Sequence, residues 1–305
     1  MKTRRRTRTR KSKQKGGTVP EAKNLYGNGK LSNTIRLNSE KMSIMPYYKD
    51  PQSGKKVVVA LGGITGARLH SRKNNHNKKY VVKNGEGIGF MKTGGWGLIQ
   101  DEYAAGQIYR TLGIPVPEQR LETENKILII EYLEGISARE LKESNQELFK
   151  KEAKKAFAAD VLLGNYDTYG SEDGGNMLFA NGKLYKIDNG STFDRAASGM
   201  PRRNFLFIGD ASSQINKFRD SSLLTRYESP AASGTVKMYE GIKDNEVAEQ
   251  IRTMILPNKK AIVDLTPDRL EERDARNINN KFTPRNLKVI MAERINSLER
   301  WAEGK

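Results

Sequence analysis

The chain has 305 residues, of which 36% are apolar, and a formal charge of +18; that length suits one domain of two lobes or two small domains, with a lean core for a globular chain. Cysteine is absent, which excludes disulfides, thiolate zinc sites and cysteine nucleophiles together. The only histidines, His70 and His76, lie in the basic stretch ARLHSRKNNHNKK, which argues against a histidine triad or metal site and for a solvated loop.

Much of the positive charge sits at the start. Nine basic residues between Lys2 and Lys15 face no acid, so removing that stretch halves the net charge. Residues 1–17 are therefore expected to form a disordered basic arm. No apolar segment follows it, so it is not a secretory signal, and no run is long enough for a membrane helix. The expectation is a soluble, intracellular protein, with nuclear, virion-associated or peripheral membrane placement left open. Nucleic acid, anionic lipid and nuclear targeting are open roles for residues 2–15, beside a merely solubilising tail with nonspecific polyanion affinity. No aromatic residue interleaves with the arm, which disfavours base stacking. Residues 18–50 have weak periodicity and read as a linker or peripheral covering segment.

Clear strand character starts at Val57. VVVAL, ARLH and KYVVK read as three strands, the first two joined by GGITGA, where Gly62, Gly63 and Gly66 would let backbone amides approach phosphates. Glycines between strands are more often a plain hairpin, and the loop lacks the Gly-Lys-Ser/Thr ending of a P-loop. In GLIQDEYAAGQIYRTLG, Leu98, Ala105, Ile108 and Leu112 recur at helical spacing before a stop at Gly113. EQRLE and KILIIEYLEG read as an antiparallel strand pair. A helical face follows at Phe149, Ala153, Phe157 and Val161, with Asp160 beside it either supporting the next loop or pairing with Lys154 or Lys155. IKDNEVAEQIRTMIL and FTPRNLKVIMAERINSLERWAEGK are helical, the latter with a core stripe from Leu287 to Trp301.

The chemistry is concentrated in DVLLGNYDTYGSEDGGNMLFANGKLYKID, residues 160–188, which sets Asp167, Asn176 and Asp188 on turns beside apolar runs. Magnesium-assisted phosphoryl transfer needs one carboxylate near the attacking hydroxyl and oxygen ligands for the metal. Asp or Asn followed by Gly is also the commonest turn former, and Asp188-Asn189-Gly190 alone reads as a hairpin turn. Asp173 competes with Asn176 as a ligand.

GNYD at 164–167, GGNMLF at 174–179 and YKIDNG at 185–190 resemble the catalytic core of the atypical kinases: the phosphatidylinositol 3- and 4-kinases, the HipA-type kinases and actin-fragmin kinase. EYAAGQIYRTLGIPVPE resembles the small-lobe helix of the same group. The resemblance spans roughly residues 57–300. It implies an α+β, two-lobed protein-kinase-like fold, with a small antiparallel sheet lobe plus one helix at 51–135 and a mainly helical large lobe at 136–305. It further implies ATP and Mg²⁺ in the cleft, Asp167 as the catalytic carboxylate, and Asn176 and Asp188 as metal ligands. Gly62, Gly63 and Gly66 would cover the phosphates, Lys83 paired with Glu102 would orient them, and Glu131, Tyr132 and Leu133 would form the adenine hinge. Lys78 and Lys79 are rivals to Lys83. Two departures stand out: Thr168 replaces the Arg that often follows the catalytic Asp, and nine residues rather than about five separate Asp167 from Asn176, as in the actin-fragmin branch.

The expected activity is transfer of the γ-phosphate to a hydroxyl, first of a protein Ser or Thr, next of a phosphoinositide or small molecule. A catalytically inactive binding module with a polyanion-binding arm is the competing class, and AMP transfer a third.

Overall fold

The computed structural model describes residues 95–123, 127–131, 133, 135–170, 174–195, 208–223, 230–271 and 284–305, and upstream of them the strand segments 34–37, 40–45, 47–49, 56–58, 78–84 and 87–93. The basic arm, both histidines, the ARLH stretch, Gly62, Gly63, Gly66, Tyr132 and Asp173 lie outside the described residues.

The fold is α+β. A six-stranded antiparallel sheet has the order β1-β2-β5-β6-β8-β7, from β1 (Thr34–Leu37), β2 (Glu40–Met45), β5 (Lys78–Asn84), β6 (Gly87–Thr93), β7 (Gln119–Glu122) and β8 (Ile127–Glu131). A separate pair joins β3 (Tyr47–Lys49) to β4 (Lys56–Val58). Strands β1 to β3 thus fall within 18–50, where sequence suggested a linker or covering segment. Val57 and Val58 of VVVAL lie in β4, and the strand following KYVVK is β6, whose GIGFMKT the periodicity does not announce.

Helix α1 (Trp96–Thr111) leaves β6 through Gly95 and serves two apolar clusters. Ile99 packs with Leu128 and Ile130 of the sheet, whereas Ala105, Ile108 and Tyr109 enter the main core. Burying both sides of this helix ties the sheet to the helical part of the chain. Gly113, at φ 75°, ends it as expected.

Beyond β8 the chain passes Leu133 and Gly135 into the short β9 (Ile136–Ser137), which pairs with β10 (Met177–Ala180); β10 forms a hairpin with β11 (Lys183–Lys186). The hairpin loop is Asn181-Gly182, both at positive φ (50° and 72°), the form that two-residue hairpins favour. Ser137 opens α2 (Ala138–Ser144) with a capping box: its Oγ accepts from Glu140 N at 3.2 Å, and its own N donates to Glu140 Oε2 at 2.7 Å.

The stripe from Phe149 to Val161 forms two helices, α3 (Gln146–Lys154) and α4 (Phe157–Leu163), broken at Lys155-Ala156. Every residue of α4 is buried, and Gly164 closes it in the left-handed region at φ 65°. The remaining helices are α5 (Pro230–Tyr239), α6 (Asp244–Gln250), α7 (Lys259–Leu265) and α8 (Leu287–Glu303). Arg294 of α8, fully buried, donates to Leu162 O at 2.7 Å, Ile208 O at 2.6 Å, Gln214 Oε1 at 2.9 Å and Val161 O. It thereby satisfies carbonyls at the C-terminal end of α4, where the helix dipole favours a cation. No helix among the described residues is long and apolar enough to cross a membrane.

Candidate active site

Asp167 stands on the turn that follows α4. Asn165, buried, orders this turn: its Oδ1 accepts from Asp167 N at 3.2 Å while its Nδ2 donates to Tyr109 Oη at 2.9 Å. Ser191 Oγ donates to Asp167 Oδ2 at 3.1 Å, which fixes the plane of the carboxylate. The nine-residue interval to Asn176 closes on itself, because Gly170 (φ 83°) and Gly174 (φ 65°) turn the backbone back. Asn176 Nδ2 donates to Asp167 O at 2.6 Å, so the two residues are neighbours. Ile187 N, immediately before Asp188, donates to Asn176 O at 3.0 Å. Asp167 and Asn176 are thus bonded directly, and Asp188 follows one residue after the bond that ties Ile187 to Asn176.

The lysine that meets Asp188 is Lys92. It lies on β6, opposite Leu128, and shares with that residue the sheet face beneath α1. Its Nζ pairs with Glu102 Oε1 and reaches Asp188 Oδ1 at 3.2 Å. Lys92 and Glu102 are 3% and 1% exposed, whereas Asp188 is 32% exposed; the pair is sealed on the helix side and open only toward Asp188. Burial pushes the Lys92 ammonium down, but the Asp188 and Glu102 carboxylates outweigh it and hold it above its ordinary value.

Lys83, the lysine expected beside Glu102, lies on β5 opposite Ile88, four residues along the ladder from Lys92, a span of about 13 Å. Among the described residues the lysine that Glu102 meets is Lys92. Gly190 lies beside both acids: a Cβ there would sit in ordinary contact, 3.6 Å from Asp188 Oδ1 and 3.7 Å from Glu102 Oε2. Glu131 is exposed at the end of β8, where it exchanges hydrogen bonds with Glu118, and Leu133 is half-buried beyond it.

Beneath the Asp167 turn lies a buried polar network. Asp160 Oδ1 accepts from Tyr109 Oη at 2.6 Å; Oδ2 accepts from Lys186 Nζ at 2.8 Å and from Tyr239 Oη. Lys186 also donates to Thr168 Oγ1 at 2.9 Å, which pins the residue after Asp167. Burial lowers the Lys186 ammonium from its ordinary value while Asp160 pulls against it. Asp160 therefore bonds neither Lys154 nor Lys155, which reach Gly241 O and Glu152; it supports the loop through Lys186 and Tyr109. Thr168, a departure from the atypical-kinase pattern, has a specific structural duty here.

Whether these residues suit a divalent cation follows from their chemistry. Among the described residues no three acidic or histidine side chains form a cage of their own. One aspartate and an asparagine amide, Asp188 and Asn176, suit Mg²⁺, which keeps several waters and takes only one or two carboxylates alongside substrate phosphates. Asn189 supplies a second observation: it is 1% exposed, and neither polar atom of its amide has a hydrogen-bond partner. An asparagine in a plain hairpin turn would bond its own backbone. This one leaves polar capacity next to Asp188.

Sequence reasoning missed Lys92, Ser191, Lys186 and Arg294. The available signal for Lys92 was its place on the last strand before the helix that carries Glu102.

No known protein family matches the sequence, and no curated protein does either. Among solved structures, the chain is similar to the Helicobacter pylori proinflammatory kinase CtkA at 16% identity and TM-score 0.37, over 76% of this chain and 93% of that one. It is similar to the choline kinase LicA from Streptococcus pneumoniae at 13% identity and TM-score 0.31, covering 81% and 92%. It is also similar to the Mycobacterium tuberculosis PknI kinase domain at 11% identity and TM-score 0.29, covering 90% and 98%.

Proposed function

We propose that this chain is a protein-kinase-like phosphotransferase that uses ATP with Mg²⁺ and a hydroxyl acceptor, with Lys92 in the role that sequence suggested for Lys83. The observation that carries the reading is the meeting of Lys92, Glu102 and Asp188, three charged side chains from a strand, a helix and a later turn. Two of them are buried, and burying charge is costly unless it is paired. A surface turn and a solvated helix position, the plain readings of Asp188 and Glu102, would not bring these groups together.

Asp188 and Asn176 would hold the cation, which would supply charge neutralisation for the nucleotide phosphates. Lys92, kept charged by its partners, binds and orients the phosphates, and Glu102 keeps it from collapsing wholly onto Asp188. Asp167, oriented by Ser191 and Asn165, would accept the proton of the acceptor hydroxyl as its oxygen bonds the γ-phosphorus and the bond from that phosphorus to the β–γ bridging oxygen breaks, releasing ADP. Asp160, Lys186 and Thr168 hold the turn that presents it. The two-lobed arrangement, with the Glu131 to Leu133 segment as adenine hinge and the basic arm as a polyanion tether, belongs to the same proposal. A protein Ser or Thr is the acceptor of first choice, with a phosphoinositide or small molecule next.

The test is incubation of the full chain with Mg²⁺ and ATP labelled at the γ- or the α-phosphate. Transfer of γ-label, abolished in Asp188→Ala, is the expected result. Transfer of α-label would make the protein an AMP transferase. Absence of both transfer and Mg·ATP-dependent thermal stabilisation would leave a binding module, because a ligand that prefers the native state raises its stability.

A further inference from the structure

Glu102 has a neighbour that the phosphotransfer chemistry does not use. Asp101, fully buried, lies about 100° around α1 from Glu102, so one residue faces Lys92 and the next faces away from it. On that other side Asp101 accepts from two arginines. Arg195 Nε donates to its Oδ2 at 3.0 Å; Arg269 donates to its Oδ1 from Nε at 3.1 Å and to its Oδ2 from a terminal nitrogen at 2.6 Å. The fork of Arg269 also embraces Asp194, at 3.0 Å and 2.6 Å. Among the described residues two carboxylates and two guanidiniums meet here, and Arg269, 20% exposed, is the member most open to solvent.

The members come from three stretches of chain. Asp101 belongs to the helix of Glu102, and Asp194 and Arg195 follow Asp188 within seven residues. Arg269 is anchored by its own backbone, since Leu287 N donates to Arg269 O at 2.9 Å at the start of α8. Any swing or rotation of α1 that separates Glu102 from Lys92 must also withdraw Asp101 from both guanidiniums. The two ion contacts are mechanically one.

We propose that Asp101, Arg195, Arg269 and Asp194 form a built-in latch that keeps α1 seated with Glu102 on Lys92, so that the nucleotide site is assembled in the unmodified chain. This rests on the reading of Lys92, Glu102 and Asp188 as that site, and it adds the regulation of it. In many protein kinases a phosphate on the segment after the metal-binding aspartate recruits arginine and orders the helix. Here carboxylates already occupy the fork of Arg269, with Arg195 adding a single bond from Nε, and charge-assisted bidentate pairing at Arg269 supplies the same geometric control without modification. Asp101, Arg195, Arg269 and Asp194 are positioning residues.

Hydrogen exchange on the full chain without nucleotide tests the latch. Arg269→Met should raise exchange across the amides of α1 by about tenfold or more through local opening, leave α8 protection unchanged, and raise KM for Mg·ATP more than it lowers kcat. Arg269→Lys, which keeps the charge and loses the fork, should fall between, and it serves if the methionine variant does not fold. Unmodified wild type, verified by mass, should bind Mg·ATP as tightly before as after phosphatase treatment. Equal loss of protection in α1, α4 and α8, or unchanged α1 exchange, overturns the latch, as does a wild type that needs phosphate to bind nucleotide. If wild type shows no nucleotide binding in any state, the phosphotransferase reading fails, while the α1 exchange still judges the latch.

Discussion

Replacing Lys92 by Met separates what the buried lysine does for stability from what it does for chemistry. The substitution leaves Glu102, 1% exposed, without the cation that Lys92 supplied, while Asp188, 32% exposed, regains water. Breaking a buried pair from one side costs about 3–5 kcal/mol. For a chain of this size each kcal/mol moves the melting temperature by about 2–4 °C, so Lys92→Met should melt roughly 6–20 °C below wild type. The pair's carboxylates hold Lys92 above its ordinary value despite burial, so its contribution is fully present below the unfolded lysine pKa. It is lost only as pH rises through the folded value, on the strongly alkaline side. The double variant Lys92→Met, Glu102→Leu should recover most of the stability, because replacing both members with apolar groups is often close to neutral. Phosphate transfer should not recover with it. Thermal melts with and without Mg·ATP, beside γ-label transfer, read both quantities. Lys83→Met should leave both intact. If Lys83→Met removes nucleotide stabilisation while Lys92→Met keeps it, or the double variant melts no higher than the single one, the assignment of Lys92 is wrong.

Gly135 lies where the chain crosses from β8 to β9, and a Cβ there would come within 2.3 Å of Phe179 O, a backbone atom that cannot turn aside. Gly135→Ala should therefore cost about 1–3 kcal/mol, measured by urea denaturation, and weaken Mg·ATP binding by disturbing the β9–β10 pairing; an unchanged midpoint would contradict the contact. Asp210 accepts from Ser297 Oγ and Ser212 Oγ, each at 2.7 Å, and these bonds lower its pKa. A depressed carboxylate stabilises above its unfolded pKa and loses that effect as pH falls through the folded value. Asp210→Asn should thus melt below wild type at pH 7 and converge with it near pH 3 or below, and parallel curves at all pH would refute the role.

The sequence made α1 legible because Leu98, Ala105, Ile108 and Leu112 repeat at helical spacing and Gly113 stops the helix. The turns bearing Asp167 and Asp188 were legible from their apolar neighbours. Lys92 was not, because Gly87 and Gly89 interrupt the two-residue alternation of β6, whereas the β-branched KYVVK advertises β5 and its lysine. One unread strand moved the lysine assignment. Asn176 looked remote by count, but Gly170 and Gly174 fold the intervening chain back, and that reversal depends on tertiary context. Arg294 lies three and four residues from Met291 and Ile290, on the buried face of α8, yet an arginine in an apolar stripe reads as solvent-facing until acceptors are known. Its acceptors, including Val161 O and Leu162 O, come from far upstream and leave no local trace.

That reach from Arg294 back to α4 sets an order on biosynthesis. The carbonyls just ahead of the GNYD turn leave the ribosome some 130 residues before the guanidinium that caps them. A nascent chain lacking α8 therefore has the Asp167 turn without this support, and the turn gains it only once the guanidinium of Arg294 has emerged.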